Sequence, residues 1–172
     1  MSRIAGSSSE LVIRDWRRRF VPVGSTLAAS LLALLPIVTD SAPLVPEIAL
    51  LVVIAWRLLR PEIWSAHMAL GLGLFNDLVA GHPLGQSVAT WTIIFLACDY
   101  VDSRLGFRDY WMDWLIAAAA IIFHTAAAWY IASLMGSSMR FSILLPQLAV
   151  GILVYPLVAR MVLALDKWRL AR

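Results

Sequence analysis

The chain has 172 residues, of which 61% are hydrophobic and only 15% are charged. Soluble domains are nearer half apolar and a quarter charged, so this composition excludes an ordinary soluble domain and predicts an integral membrane protein. The net charge of +3 does not indicate nucleic-acid binding, because the basic residues flank the apolar stretches and are better explained by membrane topology.

Residues 1–19 are predicted to be a basic cytoplasmic tail, with Arg14 and Arg17 to Arg19 forming a collar before the first apolar stretch. The run from Arg17 to Val21 resembles a twin-arginine export signal. No convincing small-residue cleavage site follows it, and further apolar stretches come after it. We therefore interpret these arginines as a positive-inside anchor.

Six apolar stretches follow the tail, and each is predicted to be a transmembrane helix. They cover residues 20–38, 44–59, 63–80, 84–101, 111–134 and 141–165, and residues 166–172 form a second basic cytoplasmic tail. The second stretch is short, about 24 Å long at ~1.5 Å per residue, so it must stand upright or cross where the bilayer is thin. Pro46 lies in its first turn, where proline is tolerated.

The basic residues also orient the bundle. With six spans and a cytoplasmic N-terminus, thirteen of the 14 Lys and Arg residues fall on the cytoplasmic side, and only Arg140 falls outside. A five-span arrangement would place Lys167, Arg169 and Arg172 outside. The sequence thus predicts an all-α, multi-pass protein with both termini in the cytoplasm.

The stretch from Gly71 to Gly85 joins the third span to the fourth and reads GLGLFNDLVAGHPLG. Its Asn76-Asp77 pair is predicted near the outer membrane face, where a carboxylate is costly unless it has a partner. An acid at a helix C-terminus also opposes the macrodipole, so we expect Asp77 to accept backbone N–H groups of the turn or of the next helix. Two roles stay open, a partner or ligand contact and a device that holds spans three and four as a hairpin.

Other candidate sites have simpler interpretations. His67, His82 and His124 are predicted at three different depths and cannot share one metal, and His124 is interpreted as a hydrogen-bonded packing residue in preference to a proton relay. Gly71 and Gly73 lack the remaining features of a dinucleotide-binding loop and are interpreted as small residues at a helix interface.

Several acids and two arginines lie at or near the connection between the fourth and fifth spans, and we interpret them as a solvated, partly paired cytoplasmic loop. They are Asp99, Asp102, Arg104, Arg108, Asp109 and Asp113. The single cysteine, Cys98, is interpreted as a buried small apolar residue. No catalytic motif is present, so the sequence predicts no catalytic residue, no metal site and no cofactor.

The chain resembles the MreD family, the rod shape-determining membrane proteins of bacteria. The resemblance is carried by the length, the basic N-terminal tail, the apolar run from Pro46 to Trp56 and the central pattern around Asp77. That pattern is Gly71, Asp77-Leu78, Gly81 and Leu84-Gly85. Asn76 stands where many relatives carry an apolar residue, so the surroundings of Asp77 are more polar here.

The resemblance implies a non-catalytic scaffold of the cell-elongation machinery in the bacterial cytoplasmic (inner) membrane, in contact with membrane lipid. Such proteins associate with the single-span protein MreC. Through MreC they link the MreB filament to the RodA-type polymerase and its penicillin-binding transpeptidase, supporting rod shape and lateral peptidoglycan synthesis. The partner-binding or structural residues implied are Pro46, Gly71, Asn76, Asp77, Gly81, Leu84 and Gly85.

The predicted fold also resembles the six-helix, membrane-embedded substrate-binding subunits of vitamin uptake transporters. This likeness implies an alternative function, a subunit that binds a small, vitamin-like molecule. The polar residues expected in the outer halves of the spans are few for such a site: Asn76, Asp77, Thr90, Thr92 and Gln147. The scaffold is therefore the favoured prediction.

Overall fold

The computed structural model describes residues 8–34, 45–104 and 109–170, with side chains from Phe20 onward. These residues form six α-helices and two short 3₁₀ helices, with no β-strand among them. The helices are α1 Ser8–Leu31, α2 Ile48–Leu59, α3 Ala66–Ala80, α4 Gln86–Arg104, α5 Tyr110–Leu134 and α6 Leu145–Leu170, and the 3₁₀ helices are Leu32–Leu34 and Phe141–Leu144. The prediction of an all-α chain with six helices is confirmed.

The helix boundaries differ from the predicted spans at both ends of the chain. α1 begins at Ser8, inside the predicted tail, and α6 continues to Leu170. α2 and α3 begin later than their predicted spans. Some predicted features lie outside the described residues. They are the connection at residues 39–43 between the first two predicted spans, Arg108, residues 171–172 and the side chains of the basic collar.

Within the described residues, α5 and the segment Phe141–Leu170 are long and apolar enough to cross a membrane. Only 22% of the most apolar stretch of each is buried inside the protein, so neither resembles the core helix of a soluble domain. Large apolar side chains face outward along both helices, including Leu115, Ile122, Phe123, Leu153, Leu157 and Met161. Residues Phe20–Leu34, α2 and α3 are apolar but shorter, so the crossing of all six helices stays a prediction.

α2 is the central helix, and nine of its 12 residues are buried. Around it the core includes the fully buried rings of Trp56, Trp64, Trp91 and Phe95, with Trp64 edge-to-face against Phe95 at a centroid distance of 6.1 Å. At ~1.5 Å per residue α2 is about 18 Å long, much less than the ~30 Å hydrocarbon core of a bilayer. Both ends of α2 therefore lie between the longer helices around it. The polar residues at those ends are buried inside the bundle as a result.

Candidate functional site

The turn between α3 and α4 is built around the Asp77 carboxylate, which is 1% exposed. Oδ2 accepts the backbone N–H of Gly85 and Oδ1 accepts that of Ser87, each at 2.8 Å. A side chain from the end of α3 thus satisfies amides at the start of α4 that have no partner inside their own helix. The predicted hydrogen bonds from the turn amides to Asp77 are confirmed.

Two glycines allow the chain to turn within this short distance. α3 ends at Gly81, which has a φ of 70°, and α4 is preceded by Gly85, which has a φ of 97°. Glycine adopts these left-handed conformations without the steric cost that a Cβ would bring. Both glycines therefore have a structural role in bringing Asp77 against the start of α4.

α3 and α4 approach each other closely at Gly73. A Cβ at Gly73 would lie 2.7 Å from the backbone nitrogen of Val88 and 2.8 Å from its Cα, so only glycine fits. A Cβ at Gly71 would meet nothing within 4 Å, and Gly71 is exposed. The interpretation as a helix-packing glycine is confirmed for Gly73, whereas Gly71 makes no such contact within the described chain.

Polar side chains from four helix regions join behind this turn, in what we call the turn-end cluster: Glu47, Asn76, Asp77, Ser87, Thr90 and His124. The Asn76 amide donates to Glu47 Oε1 at 2.7 Å and to Ser87 Oγ at 3.1 Å. Glu47 Oε2 lies 2.6 Å from His124 Nε2. Asn76 and Glu47 thereby connect the start of α2 to α3, α4 and α5.

The other nitrogen of His124 is also hydrogen-bonded. Nδ1 lies 2.8 Å from the Thr90 hydroxyl, which donates to the carbonyl of Gln86 at 2.8 Å. With the Thr90 hydrogen assigned to that carbonyl, the hydroxyl accepts from its other partner, which assigns a hydrogen to Nδ1. One further proton lies between Nε2 and Glu47, and the pair is either an ion pair or two neutral groups. His124 is 3% exposed and bonded at both ring nitrogens, so its predicted burial and hydrogen bonding are confirmed, whereas the preference for packing over a proton relay stays a prediction.

Sequence analysis missed Glu47 and Ser87. Glu47 was visible as an acid inside an apolar stretch, and the rule that singled out Asp77 applies to it equally. The predicted second span begins at residue 44, which places Glu47 in its first turn and gives it no predicted partner. In the structure Glu47 immediately precedes α2 as its N-cap residue, so its carboxylate lies beside α3 and α5.

Two cavities flank Glu47. The α1-side cavity, of about 290 Å³, lies between the end of α1, the start of α2 and the end of α3. The α5-side cavity, of about 120 Å³, lies between α2, α4, α5 and α6. Pro46, Glu47, His82 and Gln147 line both cavities.

The remaining candidate residues lie around these features. Pro46 immediately precedes Glu47, and its Cβ is 3.4 Å from where a Cβ on Gly151 of α6 would stand. Leu84 is 72% exposed in the turn and Leu78 is 65% exposed on α3. The structure therefore brings Asn76, Asp77, Gly81 and Gly85 together in or beside one turn, with Pro46 next to Glu47 of the same cluster. Leu84 belongs to this turn but faces outward, and Gly71 makes no contact with it.

A different polar group, the arginine-end cluster of Arg57, Asp99 and Asp102, lies near the opposite end of α2. Arg57 is 1% exposed and forms ion pairs with Asp99 and, at 3.1 Å, with Asp102. Its guanidinium also lies 5.9 Å from the centroid of the Phe95 ring. The predicted partial pairing of Asp99 and Asp102 is confirmed, since both form ion pairs with Arg57, but the predicted loop is not, because α4 continues to Arg104 and includes both acids.

A second ion-pair group ties α2 to α6. Asp166 accepts hydrogen bonds from Arg60 and Arg169, each at 2.7 Å, and the Arg169 guanidinium lies 5.3 Å from the centroid of the Trp56 ring. The hydrogen bond to Asp166 raises the pKa of Arg60. Both groups at this end therefore contain permanent charges, unlike the amide and hydroxyl partners of the turn-end cluster.

Among the described residues, no group of three or more His, Cys, Asp and Glu side chains is arranged to hold a metal ion. The sequence matches the family described as "MreD: rod shape-determining protein MreD" over residues 18–166. No curated protein and no solved structure matches the chain.

Proposed function

Since the chain belongs to the MreD family of rod shape-determining proteins, we propose that it is a non-catalytic scaffold of the cell-elongation machinery. In this role it binds an MreC-like single-span protein and so supports lateral peptidoglycan synthesis. Indirect partners are an MreB filament, a RodA-type polymerase and a penicillin-binding transpeptidase. The family match covers most of the chain, which supports assigning the scaffold role to the whole bundle.

The proposed setting is the bacterial inner membrane, crossed six times with both termini in the cytoplasm. The arginine-end cluster and Arg60 then lie toward the cytoplasm, where an excess of basic residues is expected. The turn between α3 and α4 lies toward the outside. An MreC-like partner would meet this protein through helix faces and short loops.

The observation that carries the proposal is an exposed apolar surface on a rigid turn. Leu84 and Leu78 are 72% and 65% exposed, while Asp77 and Asn76 beneath them are each 1% exposed and hydrogen-bonded. Helix contacts in lipid depend on close packing of preformed surfaces, which such a turn provides. We infer that the Asp77 carboxylate positions the turn and that Leu84 contacts the partner.

Co-purification in mild detergent tests this function. The tagged chain is co-expressed with the MreC-like protein of the same organism, as wild type and as Leu84→Ser, Asp77→Ala and Leu134→Ser variants. Leu134, 70% exposed at the end of α5, is the matched control. We expect Leu84→Ser to weaken the complex without changing the melting temperature, Asp77→Ala to lower both, and Leu134→Ser to change neither.

Two results would contradict this proposal. A folded, monodisperse wild-type chain that forms no complex argues against the scaffold. A complex that forms equally well with all three variants argues against the turn as the contact surface.

If the folded wild-type chain forms no complex, the alternative function, a vitamin-like binding subunit of a transporter, gains support from the two cavities beside Glu47. Their volumes lie at or below the ~300 Å³ lower end for ligand pockets, so the scaffold is preferred.

A further inference from the structure

The cavities beside Glu47 contain hydrogen-bonding groups that the turn-end cluster does not use. His82 Nδ1 is buried and has no hydrogen-bond partner among the described residues, and His82 lines both cavities. A buried polar atom left unpaired costs about 1–3 kcal/mol, so a ligand that reaches Nδ1 would remove a cost already present in the fold.

Glu47 also has remaining capacity. An ionised carboxylate has about four lone-pair sites, and Asn76 and His124 occupy two of them. The Glu47 side chain is 20% exposed, and it lies where the two cavities meet along the same four residues. A donor on a ligand in either cavity can therefore reach an oxygen of Glu47 without displacing either protein partner.

The charge of the lining limits the kind of ligand. No Lys or Arg is among the described residues that line either cavity. With one proton between them, the Glu47–His124 pair has a total charge of zero, so it provides no net positive charge. His82 is then the lining side chain that can become cationic, and beside a neutral His82 a phosphate or carboxylate would enter without a counter-charge, which is unfavourable away from water. The lining thus fits an uncharged or singly cationic molecule.

The volumes limit the size. An apolar cavity of ~150 Å³ is known to hold benzene, so the α5-side cavity, of about 120 Å³, fits at most a small ring or chain, and the α1-side cavity fits somewhat more. Most of the other lining residues are apolar, such as Ala29, Ile48, Leu50 and Ile121.

We propose that the two cavities form a binding site for a compact, uncharged or singly cationic molecule with an apolar body and one hydrogen-bonding group. This site goes beyond the scaffold role and does not depend on partner binding.

Three probes of similar shape but different charge test the site on the purified full chain in mild detergent: 2-phenylethanol, 2-phenylethylamine and 3-phenylpropanoate. We expect the alcohol and the amine to raise the melting temperature saturably, because a ligand that binds only the folded state stabilises it. The carboxylate should give no saturable shift. A shift from the carboxylate as large as that from the alcohol, or no saturable shift from any probe, overturns the proposal.

Two variants then locate the site. His82→Ala removes the unpaired nitrogen and should weaken binding of the alcohol about five-fold, the loss expected for one neutral hydrogen bond. Ala128→Leu fills the α5-side cavity with a larger side chain. It should reduce the saturable rise in melting temperature because the probe no longer has room to enter. His67→Ala and Ala89→Leu are the matched controls, since both residues are exposed and line neither cavity.

Equal binding by the wild type and by both cavity variants would show that the probes bind elsewhere, and it would overturn the proposal. If a cavity variant fails to fold, the charge series on the wild type still decides the outcome. Formation of the complex with the MreC-like protein is measured separately on His82→Ala. An intact complex together with lost probe binding would show that the ligand site and the scaffold role are distinct.

Discussion

The two ends of α2 hold buried polar groups of different kinds. At its start, Glu47 is bonded to an amide and an imidazole that are themselves buried, with Asn76 1% and His124 3% exposed. Near its end, Arg57 is itself 1% exposed, but its partners Asp99 and Asp102 have side chains that are 53% and 26% exposed. The partners of Glu47 therefore recover less water when a bond is lost than the exposed partners of Arg57 do.

This difference separates a rigid end from an adaptable one. At the turn end each polar atom holds a specific neighbouring helix, so the position of the α3–α4 turn is fixed by the whole network. At the arginine end the carboxylates of Asp99 and Asp102 can exchange a protein partner for water with little loss, although the buried Arg57 cannot. A surface that must present a constant shape to a partner is better placed on the first of these ends.

The largest expected effect comes from Glu47→Ala. The substitution leaves the Asn76 amide and the His124 imidazole without a main partner inside the bundle, and breaking a buried pair in this way costs about 3 kcal/mol. The free energy of unfolding, measured by SDS titration in mixed micelles, should fall by about that amount. Glu62→Ala is the control, since the Glu62 side chain is 62% exposed and should change stability by less than about 0.5 kcal/mol.

Asp77→Asn should have the next largest effect. The carboxamide keeps one oxygen for the amide of Gly85 or Ser87 but cannot accept both, and the remaining bond loses its charge. Hydrogen bonds to charged groups are worth roughly 1.5–3 kcal/mol, so we expect a loss of about 2 kcal/mol in the same titration. An unchanged free energy of unfolding would mean that the turn keeps its shape without the carboxylate. The turn end of α2 would then be no more rigid than the arginine end.

A smaller change is expected for Arg57→Met at the adaptable end. Methionine fills much of the same apolar space beside Phe95, and Asp99 and Asp102 can turn toward water. Replacing a buried charge by an apolar side chain also removes its desolvation cost, so stability should change by no more than about 1 kcal/mol. A loss as large as that of Glu47→Ala would show that both ends of α2 are equally rigid.

The general fold could be predicted from sequence because it depends on local patterns. Apolar stretches of helical length predict six helices, and the Asn-Asp pair before a Gly-His-Pro turn predicts the capping by Asp77. The polar networks could not be predicted, since they join residues far apart in sequence, such as Glu47 with His124 and Arg57 with Asp99. Which partner a buried charge meets depends on the start of α2 and the rotation of α4, and neither is encoded in a local pattern.

The two glycines of α3 illustrate the same limit and give the smallest expected effect. Both are interpreted alike from sequence, but only Gly73 faces α4 closely. In Gly71→Ala the new Cβ meets nothing within 4 Å and alanine favours the helix, so stability should rise by about 0.5–1 kcal/mol. Gly73→Ala, its matched partner, should instead destabilise the bundle, because its Cβ would lie 2.7 Å from the backbone of Val88. If both substitutions changed the free energy of unfolding in the same direction in the SDS titration, the result would contradict a close approach of α3 to α4 at Gly73.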